Sequence, residues 1–570
     1  MSVRLQYILI AGVAGLLFLP FLGHVHLFDW DEINFAECAR EMIVSKDYMR
    51  MQIDYMPFYE KPPLFIWMQV LSMKTLGISD YAARLPDALT GIATLLSLYY
   101  VGKRVADRQT GLWWTILYAA TWLPQLYFKS GIIDPVFNYF IFLAFFQVYL
   151  FRQGNRPILH AILAGLFLGL AVMTKGPVAI VVAGIALVVY LVLNRGFRGF
   201  QWWHFLVLAF VCLFVTSIWF GLEVYLHGWT FLREFISYQA GLFSQNIADH
   251  EEPWYYHPIV LLLGCFPISL LFFQSGKPFS AVPPASLDFR RWMQILFWVV
   301  LILFSIVKTK IVHYSSLCYY PLSFLAAWQV VRLIRQEYPI KRWVQICLLI
   351  LGSILALLLI AFPIAGMNIS RIVPYVQDRF AQGNMEAAVS WHWWECLIGL
   401  VYLAGIWIFV IGMRRSFRRS MIGLCVLQIL VIQVTLLHFT PKIEAYSQRA
   451  AVDYFEGFAN KDVYLQTLGY KSYAYLFYSR KTPSTNSNYY LTTKSQVGAS
   501  AVTVSNEHWL LYGVLDKPAY FIGKVGDEDE WRVKPGIIET GRKNGFVFYK
   551  RIHPDIEVLD TLKSKPGSGF

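Results

Sequence analysis

Long apolar stretches with few or no charged residues run through about the first 440 residues of this chain. Hydrophobic residues make up 57% of the 570 residues, and charged residues make up only 15%. A helix needs roughly 20 consecutive apolar residues to cross the ~30 Å hydrocarbon core of a bilayer. The stretches do not alternate between polar and apolar residues, as the strands of a membrane β-barrel do. The sequence therefore predicts an α-helical polytopic membrane protein.

The apolar stretches predict about thirteen transmembrane helices. The predicted spans are residues 7–23, 82–102, 111–128, 135–151, 158–173, 177–193, 203–222, 256–274, 292–307, 312–331, 343–363, 393–412 and 420–438. The first span follows Arg4, as the core of a signal peptide would, but it lacks a convincing small-residue cleavage site. We therefore expect it to be retained as a transmembrane helix.

The Lys and Arg residues predict the orientation of these helices, because cytoplasmic loops are enriched in both. Basic clusters occupy every second loop, beginning with Arg4 before the first span. This pattern places the N-terminus in the cytoplasm and the loops 24–81 and 223–255 on the outer face. The basic residues stand in short clusters rather than on one basic domain, so we expect no nucleic-acid partner.

The character of the sequence changes near residue 440. Segments such as DVYLQTLGY and NGFVFYKRI alternate as strands do, and turn-rich segments separate them. The sequence therefore predicts a transmembrane domain over residues 1–440 and a small soluble α/β domain over residues 441–570, on the outer side of the membrane.

The predicted outer loops contain most of the candidate reactive groups. The segment LFDWDEINFAECAREM, residues 27–42, holds five of the 36 acidic residues of the chain. The same loop also contains Glu60 and Lys61, and the other outer loops contribute Asp134, Lys175, His250, Lys308, Lys310, His313 and Tyr314. Lysines suit the phosphate of a lipid-linked substrate, and a carboxylate suits deprotonation of an attacking hydroxyl or amine. This combination is the minimum needed for group transfer from a lipid phosphate.

Several motifs, in this order, resemble those of the C-fold integral-membrane glycosyltransferases. They are WDEINFAECAREM, FYEKPPLFIW, YAARLPDAL, GIIDP, MTKGP, DHEEPWYYHP and KTKIVHYSSLCYYPL. The set is most similar to the aminoarabinose transferases that modify lipid A and to the related protein mannosyltransferases. The resemblance covers about residues 1–440 and implies a C-fold architecture.

The resemblance also implies roles for individual residues. It implies that Asp31, with Glu32 beside it, and Asp134 are catalytic acids. It implies donor-phosphate binding by Lys61, Lys308, Lys310 and Tyr314. It implies a divalent metal, such as Zn²⁺, Mg²⁺ or Mn²⁺, on Glu60 and His250. Two positions depart from the family pattern, because Asn34 stands where an Arg is common and His313 where relatives often have another residue.

The implied reaction is inverting transfer of a sugar from a polyprenyl-phosphate donor to an envelope glycolipid such as lipid A, to another glycan or to a protein. Asp31 would accept the proton of the acceptor, and the implied compartment is the bacterial cytoplasmic membrane. No Walker loop or strand-linked GxGxxG occurs, so no nucleotide cofactor is expected. A lipid-linked glycan ligase and a lipid or sugar transporter remain alternatives.

Each candidate residue also has a purely structural interpretation. Asp31 and Asp134 are suitable helix N-caps, and Glu60 and Lys61 are suitable partners in a surface ion pair. Lys175 is suited to the C-terminus of a helix, and His250 to a solvated loop. Glu37 and Glu41 are expected on the wet face of an interfacial helix, paired with Arg40 or Lys46.

Overall fold

The computed structural model describes residues 2–154, 156–194, 200–244, 252–274, 283–486, 507–513, 515–534 and 536–552. The chain forms two compact units, each built from three segments. The first unit comprises Met1–Gly23, Tyr59–Pro363 and Trp393–Leu437. The second unit comprises His24–Phe58, Ile364–His392 and His438–Phe570.

Helices dominate the described part of the chain. In chain order they are α1 (Val3–Phe18), α2 (Asp31–Ser45), α3 (Leu64–Leu76), α4 (Asp80–Val105), α5 (Arg108–Ala119), α6 (Trp122–Tyr127), α7 (Asp134–Arg152), α8 (Pro157–Lys175), α9 (Val178–Leu193), α10 (Trp202–His227), α11 (Thr230–Ser244), α12 (Tyr256–Gly264), α13 (Ile268–Leu271), α14 (Pro284–Ile306), α15 (Tyr319–Ile334), α16 (Arg342–Met367), α17 (Ile369–Ile372), α18 (Arg379–Met385), α19 (Cys396–Gly412), α20 (Phe417–His438), α21 (Thr440–Ala445), α22 (Arg449–Glu456), α23 (Ala474–Tyr478) and α24 (Glu528–Arg532). Short 3₁₀ helices cover Val312–Cys318, Val373–Tyr375, Trp393–Glu395 and Pro483–Thr485.

The strands in the described part of the chain all lie in the second unit. They are β1 (Gln52–Ile53), β2 (Met56–Pro57), β3 (Tyr464–Thr467), β4 (Ala519–Lys524), β5 (Ile537–Lys543) and β6 (Phe546–Arg551). β1 and β2 form a small antiparallel hairpin, and the other four form one mixed sheet in the order β3-β4-β6-β5. β3 runs parallel to β4, whereas β6 is antiparallel to both of its neighbours.

Eight described helical segments are long and apolar enough to cross a membrane. The prediction of a multi-pass membrane protein is confirmed, and the count of about thirteen spans stays a prediction. Two predicted spans are interrupted in the structure. Residues 111–128 divide into α5 and α6, and residues 256–274 divide into α12 and α13 near Pro267. Proline lacks the backbone N–H that a continuous helix requires.

The first unit places basic and acidic clusters at opposite ends of α7. Asp134 begins this helix, and Arg152 ends it. Arg152 pairs with Asp288 of α14, and the hydroxyl of Tyr190 in α9 donates a hydrogen bond to the same carboxylate at 2.5 Å. The structure therefore separates the loop residues predicted as cytoplasmic from those predicted as outer along the length of one helix.

The second unit is built around α2 and the mixed sheet. Tyr464, Phe521, Trp531, Val547 and Tyr549 belong to the hydrophobic core that covers this sheet. The third segment of the unit begins at residue 438, close to the domain boundary predicted near residue 440, and the two earlier segments join it. The soluble character of residues 441–570 stays a prediction.

Candidate active site

The predicted site residues divide between the two units. The first unit contains Glu60, Lys61, Asp134, Lys308, Lys310 and Tyr314. Asp31 and Glu32 belong to the second unit. His250, the predicted metal ligand, lies outside the described residues.

Asp134 is a buried carboxylate in the first turn of α7. Its Oδ1 lies 2.5 Å from Nζ of Lys175, the last residue of α8. Its Oδ2 lies 3.7 Å from Nε2 of His313, in the 3₁₀ helix before α15. The Lys175 ammonium also lies 4.8 Å from the centre of the Tyr314 ring. The first unit thus brings together four residues that the sequence placed in three separate outer loops.

The alternative interpretation of Asp31 and Asp134 as helix N-caps does not hold. Ile133 rather than Asp134 is the N-cap of α7, and Trp30 rather than Asp31 is the N-cap of α2. Both carboxylates instead occupy the first helical turn, where negative charge interacts favourably with the helix dipole. The predicted place of Lys175 at a helix C-terminus is confirmed.

Lys310 is the most enclosed of the predicted phosphate-binding lysines, with 6% of its surface exposed. Within the described ranges its ammonium has no hydrogen bond or ion pair. A buried ammonium without a counter-charge is unfavourable, so this side chain suits an anionic ligand. Lys308 is exposed. Nζ of Lys61 lies 5.3 Å from the centre of the Tyr238 ring, a cation–π contact that orients it.

His257 is a residue of this region that the sequence analysis missed. It is fully buried, and neither ring nitrogen has a hydrogen-bond partner within the part of the chain that the structure describes. Its ring centre lies 6.4 Å from that of Phe304, whose own ring lies 5.6 Å from Tyr314. The motif DHEEPWYYHP contains two histidines, and the resemblance pointed only to the first.

The described residues do not form a complete metal site. None of their His, Cys, Asp and Glu side chains form a group of three or more that could hold a metal ion. Glu60 is half-buried, and its backbone oxygen accepts a hydrogen bond from Nε2 of Gln239 at 3.1 Å. Its expected partner is His250, which is not among the described residues. The metal therefore stays a prediction, and no reaction step depends on it here.

In the second unit, the residues before α2 fix the position of Asp31. Oε2 of Glu32 accepts the backbone N–H of Phe28 at 2.8 Å, so this carboxylate is engaged by the backbone. Trp30 has a φ of 75°, a conformation that favours glycine, and Oδ1 of Asp29 accepts its N–H at 2.9 Å. Asp31 is half-buried and follows this anchored turn directly. The local backbone thus holds it in one place at the start of α2.

The prediction that Glu37 and Glu41 lie on a wet helix face is wrong. Both are buried, as is Arg40, with 1% or less of each residue exposed. Arg40 donates to both carboxylate oxygens of Glu37, at 2.7 and 2.6 Å, which confirms this predicted pairing. Glu41 accepts the backbone N–H groups of Asp54 and Tyr55, at 2.6 and 2.8 Å. Burial is tolerated because each carboxylate has hydrogen-bond donors.

Asp54 and Lys481 extend this buried network. Lys481 Nζ lies 3.4 Å from Oδ1 of Asp54, and the Tyr55 hydroxyl donates to the Lys481 carbonyl at 2.8 Å. Burial raises the pKa of Glu41 well above its usual range, and the nearby Glu37 carboxylate adds to this shift. Burial also raises the pKa of Asp54, although the Lys481 ammonium opposes the change. The sequence offered no signal for this pair, because its members lie 427 residues apart.

Known proteins resemble this chain over both its sequence and its fold. A family model described as dolichyl-phosphate-mannose-protein mannosyltransferase matches residues 60–220. An uncharacterized protein of Aquifex aeolicus is 28% identical over 326 residues, which is 56% of this chain and 69% of that protein. An undecaprenyl phosphate-alpha-4-amino-4-deoxy-L-arabinose arabinosyl transferase of Edwardsiella ictaluri is 27% identical over 344 residues, which is 58% of this chain and 61% of the transferase.

The crystal structure of ArnT from Cupriavidus metallidurans bound to undecaprenyl phosphate shares this fold. The two align with a TM-score of 0.74 and 19% identity, over 96% of this chain and 98% of ArnT. The sequence match to the Edwardsiella transferase covers 61% of that protein, which is less than two thirds of its length. The resemblance to C-fold glycosyltransferases of the aminoarabinose transferase and mannosyltransferase kind is confirmed.

Proposed function

We propose that this chain is an inverting glycosyltransferase that moves a sugar from a polyprenyl-phosphate donor to an envelope acceptor. The acceptor is a glycolipid such as lipid A, another glycan or a protein, and the reaction takes place at the outer face of the bacterial cytoplasmic membrane. The names of the curated relatives support this proposal. The observation that carries it is the buried Lys310 ammonium, for which a donor phosphate would supply the counter-charge.

In the proposed reaction Asp31 accepts the proton of the acceptor hydroxyl or amine as that group attacks the anomeric carbon of the donor. The bond between the anomeric carbon and the phosphate oxygen breaks, and the polyprenyl phosphate leaves with the bonding electrons. Lys61 and Lys310 stabilise the negative charge on the departing phosphate. The attack on the face opposite the leaving group inverts the anomeric configuration.

Asp134 has a supporting role in this proposal, because its carboxylate is paired with Lys175. The pair holds the Lys175 ammonium beside the Tyr314 ring, near the residues proposed to bind the phosphate. Glu60 and His250 are proposed ligands of a divalent metal, which would supply further positive charge to the phosphate. Loss of transfer on chelation, with recovery on adding Zn²⁺, Mg²⁺ or Mn²⁺, would support the metal.

The proposal is tested by transfer of a labelled sugar to membrane glycolipids, glycans and proteins from a panel of polyprenyl-phosphate pentoses and hexoses. We expect Asp31→Asn to lower kcat by about 10²–10⁴-fold, the usual contribution of a general base. Lys310→Gln should raise KM for the donor. Asp47→Asn is the matched control, because Oδ1 of Asp47 accepts the N–H of Met49 at 3.0 Å and an amide oxygen can replace it.

Full activity of Asp31→Asn at unchanged thermal stability would refute the proposed base. Transfer only from pyrophosphate-linked oligosaccharides would show instead that the chain is a lipid-linked glycan ligase. Both outcomes are separable from misfolding, because the melting temperature of each variant is measured in parallel.

A further inference from the structure

A groove of about 790 Å³ runs between α9 and α14 of the first unit. Nine of its eleven lining residues are apolar, among them Ile185, Val189 and Leu193 of α9 and Trp298 and Ile302 of α14. Both helices are apolar along most of their length, and α14 is long enough to cross a membrane. A concave apolar surface on such helices suits a hydrocarbon chain rather than a water-soluble ligand.

The two polar lining residues, Arg291 and Gln294, stand together at one end of the groove. At that end the Arg291 guanidinium donates a hydrogen bond to the side-chain oxygen of Asn194, the residue that follows α9. The helices α9 and α14 are therefore antiparallel, and Leu193, the last residue of α9, lies at the Arg291 end. Arg152 pairs with α14 at the same end, which the basic clusters predict to face the cytoplasm.

The charge of Arg291 is available to a ligand. Its side chain is exposed, and among the described residues it forms no ion pair with a carboxylate. Asp288, the carboxylate one turn earlier on α14, is already paired with Arg152 and accepts a hydrogen bond from Tyr190. An uncompensated guanidinium at the end of an apolar groove is complementary to an amphiphile with a negatively charged head group, because a guanidinium binds phosphate well.

The length of the groove matches a lipid of one leaflet. The residues of α9 that line it run from Ile185 to Leu193, which is about 12 Å of helix. One leaflet contributes about 15 Å, half of the ~30 Å hydrocarbon core. The α14 wall continues to Ile306, two residues before Lys308, so the polyprenyl chain of the donor is the competing occupant. That chain would carry its phosphate at the Lys308 end and leave Arg291 without an anion.

We infer that this groove is a binding site for an anionic phospholipid, separate from the residues proposed to bind the sugar donor. One acyl chain lies between α9 and α14, and the phosphate of the head group contacts Arg291 and Gln294. The lipid belongs to the leaflet at the Arg291 end of the helices. The inference goes beyond the proposed function, because binding of this lipid requires no sugar transfer.

Lipid binding can be measured directly. The full-length protein, delipidated in detergent, is titrated with dioleoylphosphatidylglycerol and with dioleoylphosphatidylcholine, and native mass spectrometry measures the bound lipid. The two lipids have the same acyl chains and differ in net charge, so we expect phosphatidylglycerol to bind more tightly. Arg291→Gln should weaken its binding about fivefold, the effect of one basic residue at a membrane surface. Phosphatidylcholine should lose less affinity, because its choline cation offsets the phosphate.

Arg342→Gln is the matched control for the head-group contact. Arg342 is exposed at the start of α16, forms no ion pair within the described part of the chain and does not line the groove. Its replacement should leave the Kd of phosphatidylglycerol unchanged. Equal affinities of the wild type for the two lipids, or equal losses in Arg291→Gln and Arg342→Gln, would overturn the inference.

A second variant tests the acyl chain and its competitor. Ile302→Trp narrows the groove at a side chain that is 53% exposed, so it should weaken the binding of both phospholipids without disturbing the packed core. Ile354→Trp, at an exposed position of α16 outside the groove, is its control. Displacement of phosphatidylglycerol by undecaprenyl phosphate, or a higher KM for the donor in Ile302→Trp, would assign the groove to the polyprenyl chain and overturn the inference. Failure of sugar transfer is a separate result, because the lipid titrations need no donor.

Discussion

At the scale of single residues, the acids of the first loop divide into two kinds. Asp31 is half-buried and begins α2. Glu37 and Glu41, by contrast, are buried, and their carboxylates accept hydrogen bonds from Arg40 and from backbone N–H groups. The same short segment therefore carries a candidate for proton transfer and a structural network. Glu41 supports the backbone at Asp54 and Tyr55 and Glu37 holds Arg40, so both acids contribute to stability rather than to solubility.

Replacing Glu41 should destabilise the protein. Glu41→Ala leaves the N–H groups of Asp54 and Tyr55 buried without an acceptor, at a cost of about 2–5 kcal/mol in the free energy of unfolding. Glu41→Gln keeps one acceptor oxygen and should cost about half as much. Unfolding of the purified variants in detergent measures both effects. The control is Glu386→Ala, at an exposed position of the same unit, and a Glu41→Ala variant as stable as this control would contradict the prediction.

The raised pKa of Glu41 also predicts how stability depends on pH. A carboxyl whose pKa is higher in the folded than in the unfolded protein binds its proton more tightly when folded. Its contribution is complete below the unfolded value of about 4.3 and is lost as the pH rises toward the folded value. The melting temperature should therefore fall across this range in the wild type and fall less in Glu41→Gln. Identical slopes in the two proteins would show that Glu41 does not titrate in this way.

At the scale of elements, the first unit depends on close contacts between helices. Gly165 and Gly169 of α8 face α10, and a Cβ atom on Gly165 would lie 2.5 Å from the backbone oxygen of Leu208. Small residues four positions apart allow two membrane helices to approach closely. The end of α8 then carries Lys175, which pairs with Asp134 of α7. Helix packing and site geometry are therefore linked through α8.

Gly165→Ala should destabilise the packing of α8 on α10, because the added methyl group meets backbone rather than a flexible side chain. We expect a loss of about 1–3 kcal/mol, the usual cost of overpacking. Gly184→Ala in α9 is the matched control, because no heavy atom lies within 4 Å of the position of its Cβ. That change should be neutral or stabilising, since Ala favours helices over Gly by about 1 kcal/mol. Equal melting temperatures of the two variants would argue against this packing.

The ion pair between Asp134 of α7 and Lys175 of α8 leads to a second prediction about the helices. Asp134→Asn or Lys175→Met alone leaves one charge buried without its partner, and each should cost about 3–5 kcal/mol. The double variant removes both charges and should be more stable than either single variant. Thermal unfolding of the three proteins gives the coupling between the two residues. Additive effects would mean that the pair contributes no interaction energy.

At the scale of the whole molecule, the second unit is assembled from distant parts of the chain. Glu444 and Gln448 follow the last long apolar helix, and both contact the segment before α2. His26 Nδ1 lies 2.6 Å from a Glu444 carboxylate oxygen, and Asp29 donates its N–H to Gln448 at 3.2 Å. The hydroxyl of Tyr478 accepts the N–H of Leu27 at 2.6 Å. The C-terminal segment is therefore needed to hold the loop that carries Asp31.

A chain that ends at residue 437 should lose the structure of this loop. It lacks the partners of His26, Leu27 and Asp29, as well as Lys481, which pairs with Asp54. We expect trypsin to cleave residues 24–58 faster in this variant than in the full-length protein, while the apolar helices stay protected. Equal protection of the loop in the two proteins would show that residues 24–58 fold without the C-terminal segment.

The sequence by itself determined the class of the molecule and the order of its motifs. The length of the apolar stretches and the placement of Lys and Arg in alternate loops are local properties of the sequence. The membrane helices could be predicted from them, as could the helix ends at which Asp134, Lys175 and His313 meet. Which residues cap α2 and α7 could not be decided from the sequence, because capping depends on backbone angles that composition does not report.

Only the tertiary structure decided which of the acids are buried. A helical period indicates which residues share a face, but it does not indicate what covers that face. The partners of the segment around α2, such as Lys481 for Asp54 and Tyr478 for Leu27, come from positions more than 400 residues away. Hydrogen bonds from those positions make it possible to bury the charges.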